Sequence, residues 1–128
     1  MDLNDNSKAK QQIKLYQSFR CALQGITGPI LKERNFKIQL AFGLCTILLS
    51  AYFQIQRIEW IIIILCVGLV LALELINFAI ERTVDLASDY HYHELAKWAK
   101  DASAGAVLLA SIVTVIIGVL IFYPYLLN

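Results

Sequence analysis

Residues 60–73 read WIIIILCVGLVLAL, and residues 74–85 continue ELINFAIERTVD. The first part is 14 consecutive residues that are uncharged and either apolar or small. A bilayer core of about 30 Å needs about 20 helical residues, and the run from Ile58 to about Ile80 meets that length. The second part places Glu74, Asn77, Glu81 and Asp85 at spacings of 3, 4 and 4. At about 100° per residue they fall within roughly one quadrant of a helix. They form a polar stripe that runs from membrane depth to the membrane edge. A carboxylate in that position costs kilocalories unless it is paired, protonated or hydrated. A polar seam between helices explains Asn77 well. It explains two Glu and an Asp on the same stripe poorly, because each needs its own partner.

The rest of the chain agrees with a membrane reading. Of 128 residues, 59% are hydrophobic and 16% charged, with mean hydropathy +0.62. Soluble domains are nearer 45–50% apolar and about 25% charged. A cytosolic enzyme, a disordered tail and a disulfide-stapled module are disfavoured, and a net charge of +1 argues against a nucleic-acid partner. Cys21, Cys45 and Cys66 are scattered and show no metal or redox spacing. The expected fold is all-α: an integral membrane protein with three transmembrane helices and an N-terminal amphipathic surface helix. The boundaries are a polar tail over 1–12 and a single domain over 13–128, with the surface helix near 13–35 and spans near 36–54, 58–85 and 97–123. Tyr16, Phe19, Leu23 and Ile26 recur at three- and four-residue steps on the surface helix, which Gly28-Pro29 should interrupt or bend. Seven of the eleven Lys and Arg lie within residues 1–37. The positive-inside rule therefore places the N-terminus and the 82–101 loop in the cytoplasm, and the 54–59 loop and C-terminus outside.

Further acids gather toward the cytoplasmic edge. Glu33 precedes the first span, where a solvated surface charge is the plainer reading. Lys100 and Asp101 open the third, where Lys100 suits a phosphate and Asp101 either caps a helix or holds a cation. Glu33, Glu81 and Asp85, with Glu74 deeper, suit a hard divalent cation such as Mg²⁺. Neither G-x-x-x-x-G-K-[ST] nor G-x-G-x-x-G occurs, so a nucleotide site needs carboxylate–metal contacts and basic side chains. His91 and His93 are two residues apart and do not share a helix face, which gives weak support for zinc. They read as loop polarity or as nucleotide contacts.

In order and spacing, several motifs resemble those of the small prokaryotic diacylglycerol kinases, a family that includes the undecaprenol kinases of Gram-positive bacteria. They are Glu33-Arg34-Asn35-Phe36, the run Glu74 to Glu81 with Val84-Asp85, Tyr92-His93-Glu94-Leu95, and Ala99-Lys100-Asp101 followed by Ser103-Ala104-Gly105-Ala106-Val107. The resemblance spans roughly residues 13–122. It implies a homotrimer that moves the ATP γ-phosphoryl to a lipid hydroxyl at the cytoplasmic face of the bacterial cell membrane. It implies Glu74 as general base and lipid contact, Asn77 beside it, and Ala104 at the lipid site. Glu33 and Glu81 match the metal-binding acids. Lys14, Tyr92, His93, Lys100 and Asp101 match positions around the nucleotide, Lys100 and Asp101 also standing among the catalytic residues. Cys21 departs from a tyrosine that faces the nucleotide in some members, and the Asp89–His93 loop differs in length from Gram-negative members.

The chemistry is coherent. An alcohol is a poor nucleophile, so a carboxylate within hydrogen-bond reach can take its proton as phosphorus is attacked. Undecaprenol is the preferred acceptor on the Glu33-Arg34-Asn35 and Ser103-Ala104-Gly105 variants, with diacylglycerol the alternative. A non-catalytic membrane scaffold or ion-handling bundle is the reading from a different class.

Overall fold

A computed structural model describes residues 3–128 of the chain. Four helices follow in order: α1 (Leu3–Lys32), α2 (Arg34–Phe53), α3 (Arg57–Ala87) and α4 (Glu94–Leu127). No strand occurs among the described residues. Helices α2, α3 and α4 are each long and apolar enough to cross a membrane. The chain divides into two compact units at Glu33 and Arg34, and each is described by itself.

The first unit is α1. It begins at Leu3, so the described part of the polar stretch 1–12 is helical and continuous with the expected surface helix. No Gly or Pro stands between Leu3 and Gln24 to end it. The interruption expected at Gly28-Pro29 is absent: α1 runs on to Lys32 with Pro29 inside it. Proline's fixed φ suits a helix, and the carbonyl of Pro29 still accepts from the Glu33 N–H at 2.8 Å. Tyr16, Phe19, Leu23 and Ile26 all stand exposed on α1. They fall within roughly 80° of helix face, a stripe suited to lying in a membrane interface.

The second unit is α2, α3 and α4. Helix α3 is the centre, with α2 and α4 packed on it. On α3, Ile63, Val67, Val70, Glu74, Asn77 and Glu81 are buried or half-buried. On α4 the same holds for Ser103, Val107, Ala110, Thr114, Ile117 and Ile121. Both series step by alternating threes and fours, the 3.5-residue repeat of helices that pack along a left-handed seam. At one end of this seam Ile63 and Ile121 join Ile55 in a small apolar core, covered by Phe53, Trp60, Phe122 and Tyr125. There the Tyr125 hydroxyl donates to Glu59 Oε2 at 2.6 Å, and the same oxygen accepts the Gln56 N–H at 2.8 Å. One carboxylate thus caps α3 and ties α4 to it.

The polar connection between α3 and α4 is shorter than the expected 82–101 loop. Helix α3 continues to Ala87 and α4 already starts at Glu94. Leaving the bilayer does not end a helix whose residues still favour one. The reversal comes at Asp89 and Tyr90, which take positive φ of 50° and 58°. His93 then caps α4, its Nδ1 accepting from the Leu95 N–H at 3.2 Å.

The α2–α3 contact depends on Gly43. A Cβ at that position would lie 2.8 Å from a methyl of Val67, a stiff β-branched side chain. Gly43→Leu is expected to lower thermal stability in detergent by about 1–3 kcal/mol, the range for overpacking. Gly68→Ala serves as the control, since its Cβ meets nothing within 4 Å, and it should leave the melting temperature near that of the parent.

Candidate active site on the polar half of the seam

The polar stripe lies on the seam. Glu74 is 7% exposed and Asn77 8%, while Glu81 and Asp85 are half-buried. Helix α4 supplies partners at matching steps. Asn77 Oδ1 accepts from the Ser103 hydroxyl at 2.7 Å. That hydroxyl has a single proton, which it shares with the carbonyl of Lys100 at 2.9 Å. One turn beyond, the Lys100 ammonium donates to Asp85 Oδ1 at 2.9 Å. Asn77 therefore does play the seam role weighed for it, and Ser103 is the partner. The Arg82 guanidinium, off the stripe, sits 4.9 Å above the Phe78 ring, a cation–π contact.

Two cavities open along the stripe. Glu74 and Asn77 line one of about 240 Å³ with Asn35, Ala104 and Ser111. This places the expected lipid contact Ala104 beside the expected base. A second cavity, of about 410 Å³, is lined by Asp85, Tyr92, His93, Lys100 and Asp101, among others. Four residues matched to the nucleotide thus meet in one place. His91 also lines it, so both histidines face this cavity although they share no helix face.

Other expected residues stand differently. Asp101 does not cap a helix, because α4 begins at Glu94 and Asp101 lies well inside it. It accepts instead from Lys97 at 2.6 Å, an exposed i,i+4 pair of small energetic weight. Glu33 ends the first unit and Lys14 lies exposed on α1, whereas Glu81 belongs to the second unit. Among the described residues no three His, Cys, Asp or Glu converge as a metal cage. Mg²⁺ that arrives with phosphates needs only one or two protein carboxylates, and half-buried Glu81 on α3 is a donor of that kind.

Sequence reasoning missed Gln39 and Ser111, which form a 3.2 Å hydrogen bond between α2 and α4. Ser103 entered that reading only as part of the motif that follows Lys100-Asp101, without a partner. The available signal was a polar side chain inside an uncharged run, but the partner depends on how the helices pack.

The family profile for prokaryotic diacylglycerol kinase matches residues 20–122. An undecaprenol kinase of Bacillus subtilis is 44% identical over 113 residues, which is 88% of this chain and 91% of the relative. A diacylglycerol kinase of Synechocystis is 42% identical over 114 residues, 89% of this chain and 65% of the relative. A diacylglycerol kinase of Escherichia coli K12 is 33% identical over 93 residues, 73% of this chain and 75% of the relative.

Removing one member of the Asn77–Ser103 bond takes the partner from the other on a buried part of the seam. Ser103→Ala is expected to cost about 1–3 kcal/mol, the desolvation penalty of an unsatisfied polar group. The check is thermal or denaturant unfolding in detergent. Pairing Ser103→Ala with Asn77→Leu should recover part of that loss, because neither polar group then remains.

Proposed function

The chain belongs to the prokaryotic diacylglycerol kinase family, and we propose that it transfers the ATP γ-phosphoryl to the hydroxyl of a membrane lipid, with undecaprenol the preferred acceptor and diacylglycerol the alternative. The observation that carries this reading is the Glu74 carboxylate, buried on a membrane-spanning helix and lining a cavity with Asn77 and Ala104. An acid at that depth is costly to keep and marks a functional site by default. Overall identity, 44% to an undecaprenol kinase and 42% to a diacylglycerol kinase, does not choose the lipid; the preference rests on the Glu33-Arg34-Asn35 and Ser103-Ala104-Gly105 variants.

In the proposed reaction Glu74 takes the proton of the lipid hydroxyl as its oxygen forms a bond to the γ-phosphorus. The bond from that phosphorus to the β,γ-bridging oxygen breaks, and ADP leaves. Asn77, held by Ser103, orients groups beside the base. Lys100, tethered by Asp85, exchanges that carboxylate for phosphate when nucleotide arrives and offsets charge on the transferring group. Asp101, Tyr92 and His93 complete the nucleotide surroundings. Glu81 would hold Mg²⁺, which would offset phosphate charge when bound. The site straddles the cytoplasmic interface of the cell membrane because one substrate is dissolved in lipid and the other in water.

Assembly as a homotrimer belongs to the same reading. Most of the apolar stretch of α2, α3 and α4 is left uncovered within the single chain. Neighbouring copies would cover more of the polar stripe and could complete each site across a boundary between protomers.

Glu74→Gln keeps the shape of the side chain and loses the proton acceptor. Assayed with labelled ATP, Mg²⁺ and each lipid in detergent, it should retain less than about a tenth of turnover, a barrier increase above about 1.4 kcal/mol. Retention above that level excludes Glu74 as the base. A parent protein that labels neither lipid while well folded refutes the kinase reading.

Mixing inactive Glu74→Gln subunits with inactive Lys100→Leu subunits addresses the shared site. Activity should return in mixed oligomers if the two positions serve one site from different protomers. Verified mixed oligomers without rescue would assign both to one chain.

A further inference from the structure

The connection between α3 and α4 turns through two residues in the left-handed region, Asp89 at φ 50° and Tyr90 at φ 58°. Aspartate tolerates that region because its short polar side chain can bond locally. A bulky aromatic residue there is an outlier. The turn has no need of the Tyr90 ring. The Tyr90 N–H donates to the carbonyl of Asp85 at 3.0 Å, and the His91 N–H to that of Ser88 at 2.9 Å. A glycine would make the same backbone bonds without strain, and glycine is the usual residue just beyond a helix end. Packing has no need of the ring either, since Tyr90 is 78% exposed. The feature that Tyr90 does help to build is the cavity of about 410 Å³, a size within the range of small-molecule sites.

The walls of that cavity are of two kinds. Helix α4 supplies charge through Lys97 and Lys100, both of which line it. They stand three residues apart and are neighbours on the helix surface. Each pairs with a carboxylate, Asp101 and Asp85 respectively, in ion pairs open enough to water to carry small energetic weight and to yield to phosphate. The connection supplies flat rings, Tyr90 and Tyr92, the second 82% exposed. Ammonium groups suit phosphate, and an uncovered ring suits another flat ring. A nucleotide carries both. Resting on the kinase reading, we propose that Tyr90 is a base-binding residue, its ring stacking on the base of the nucleotide whose phosphates meet the lysines. Stacking needs only the flat face of the base and no hydrogen-bond readout. A tyrosine at a membrane edge can instead anchor among lipid headgroups. A place on the wall of a cavity that also holds two lysines favours the base, and the experiment separates the two roles.

The full chain in detergent is titrated calorimetrically with MgADP and, separately, with magnesium tripolyphosphate, which carries phosphates and no base. Tyr90→Gly should weaken ADP binding by roughly five- to tenfold, the lower end of base–aromatic stacking, and leave tripolyphosphate binding unchanged. Its melting temperature should be no lower than the parent's, because glycine relieves the left-handed strain. Tyr90→Phe keeps the ring and should keep the ADP affinity. Equal weakening of both ligands, or a lower melting temperature for Tyr90→Gly, would make Tyr90 a support of the turn and overturn the proposal. Unchanged ADP affinity would make it a headgroup anchor and overturn the proposal as well. A parent protein that labels neither lipid with ATP rejects the kinase reading. One that labels lipid, yet binds ADP equally well with and without the Tyr90 ring, rejects this inference alone.

Discussion

Hydrocarbon offers a polar side chain no solvent, and the α3–α4 seam is where this chain resolves that constraint. Water does not drive these helices together inside a bilayer, so close packing and polar contacts must. Both helices present side chains at alternating three- and four-residue steps. The antiparallel match brings Ile63 to Ile121, Asn77 to Ser103 and Asp85 to Lys100. Each polar group on the deep part of α3 thereby gains shelter from lipid. The cavities follow from the same arrangement: Asp85 and its partner Lys100 line one of them together, and Asn77, held by Ser103, lines the other.

The seam is graded along its length. At the loop between α2 and α3 it is apolar and aromatic, closed by the Glu59–Tyr125 bond. Toward the other end it becomes progressively polar, from buried Glu74 and Asn77 to half-buried Glu81 and Asp85. The apolar end anchors the helices, and the polar end holds two neighbouring cavities. Helices α3 and α4, at 31 and 34 residues, are longer than the roughly 20 residues a bilayer core requires. That excess length carries Asp85 and Lys100 toward the aqueous side without breaking either helix.

A membrane-spanning protein with three apolar helices is legible in the sequence because hydrocarbon thickness translates directly into residue count. The stripe of Glu74, Asn77, Glu81 and Asp85 is equally legible, since helical periodicity alone puts its members on one face. Two local expectations differ from the structure for a physical reason. Pro29 looks like a breaker, yet α1 passes through it, because one missing N–H does not stop a helix whose other bonds stand. Asp101 looks like a cap at the edge of the apolar run, yet α4 starts at Glu94, because the edge of an apolar run is not the edge of a helix.

Partnership lay beyond the sequence. Asn77 and Ser103 are separated by 26 positions, and Gln39 and Ser111 by 72. Nothing in either local pattern says which polar residue meets which. Three helices of suitable length could pack with several faces inward, and each choice pairs different side chains. The sequence determined that α3 carries acids at membrane depth, a property of composition and period. Tertiary structure decided that Ser103 holds Asn77, that Asp85 holds Lys100, and that Gln39 and Ser111 join α2 to α4. Those outcomes depend on the relative rotation of helices about their axes, which only the simultaneous packing of α2 and α4 on α3 sets.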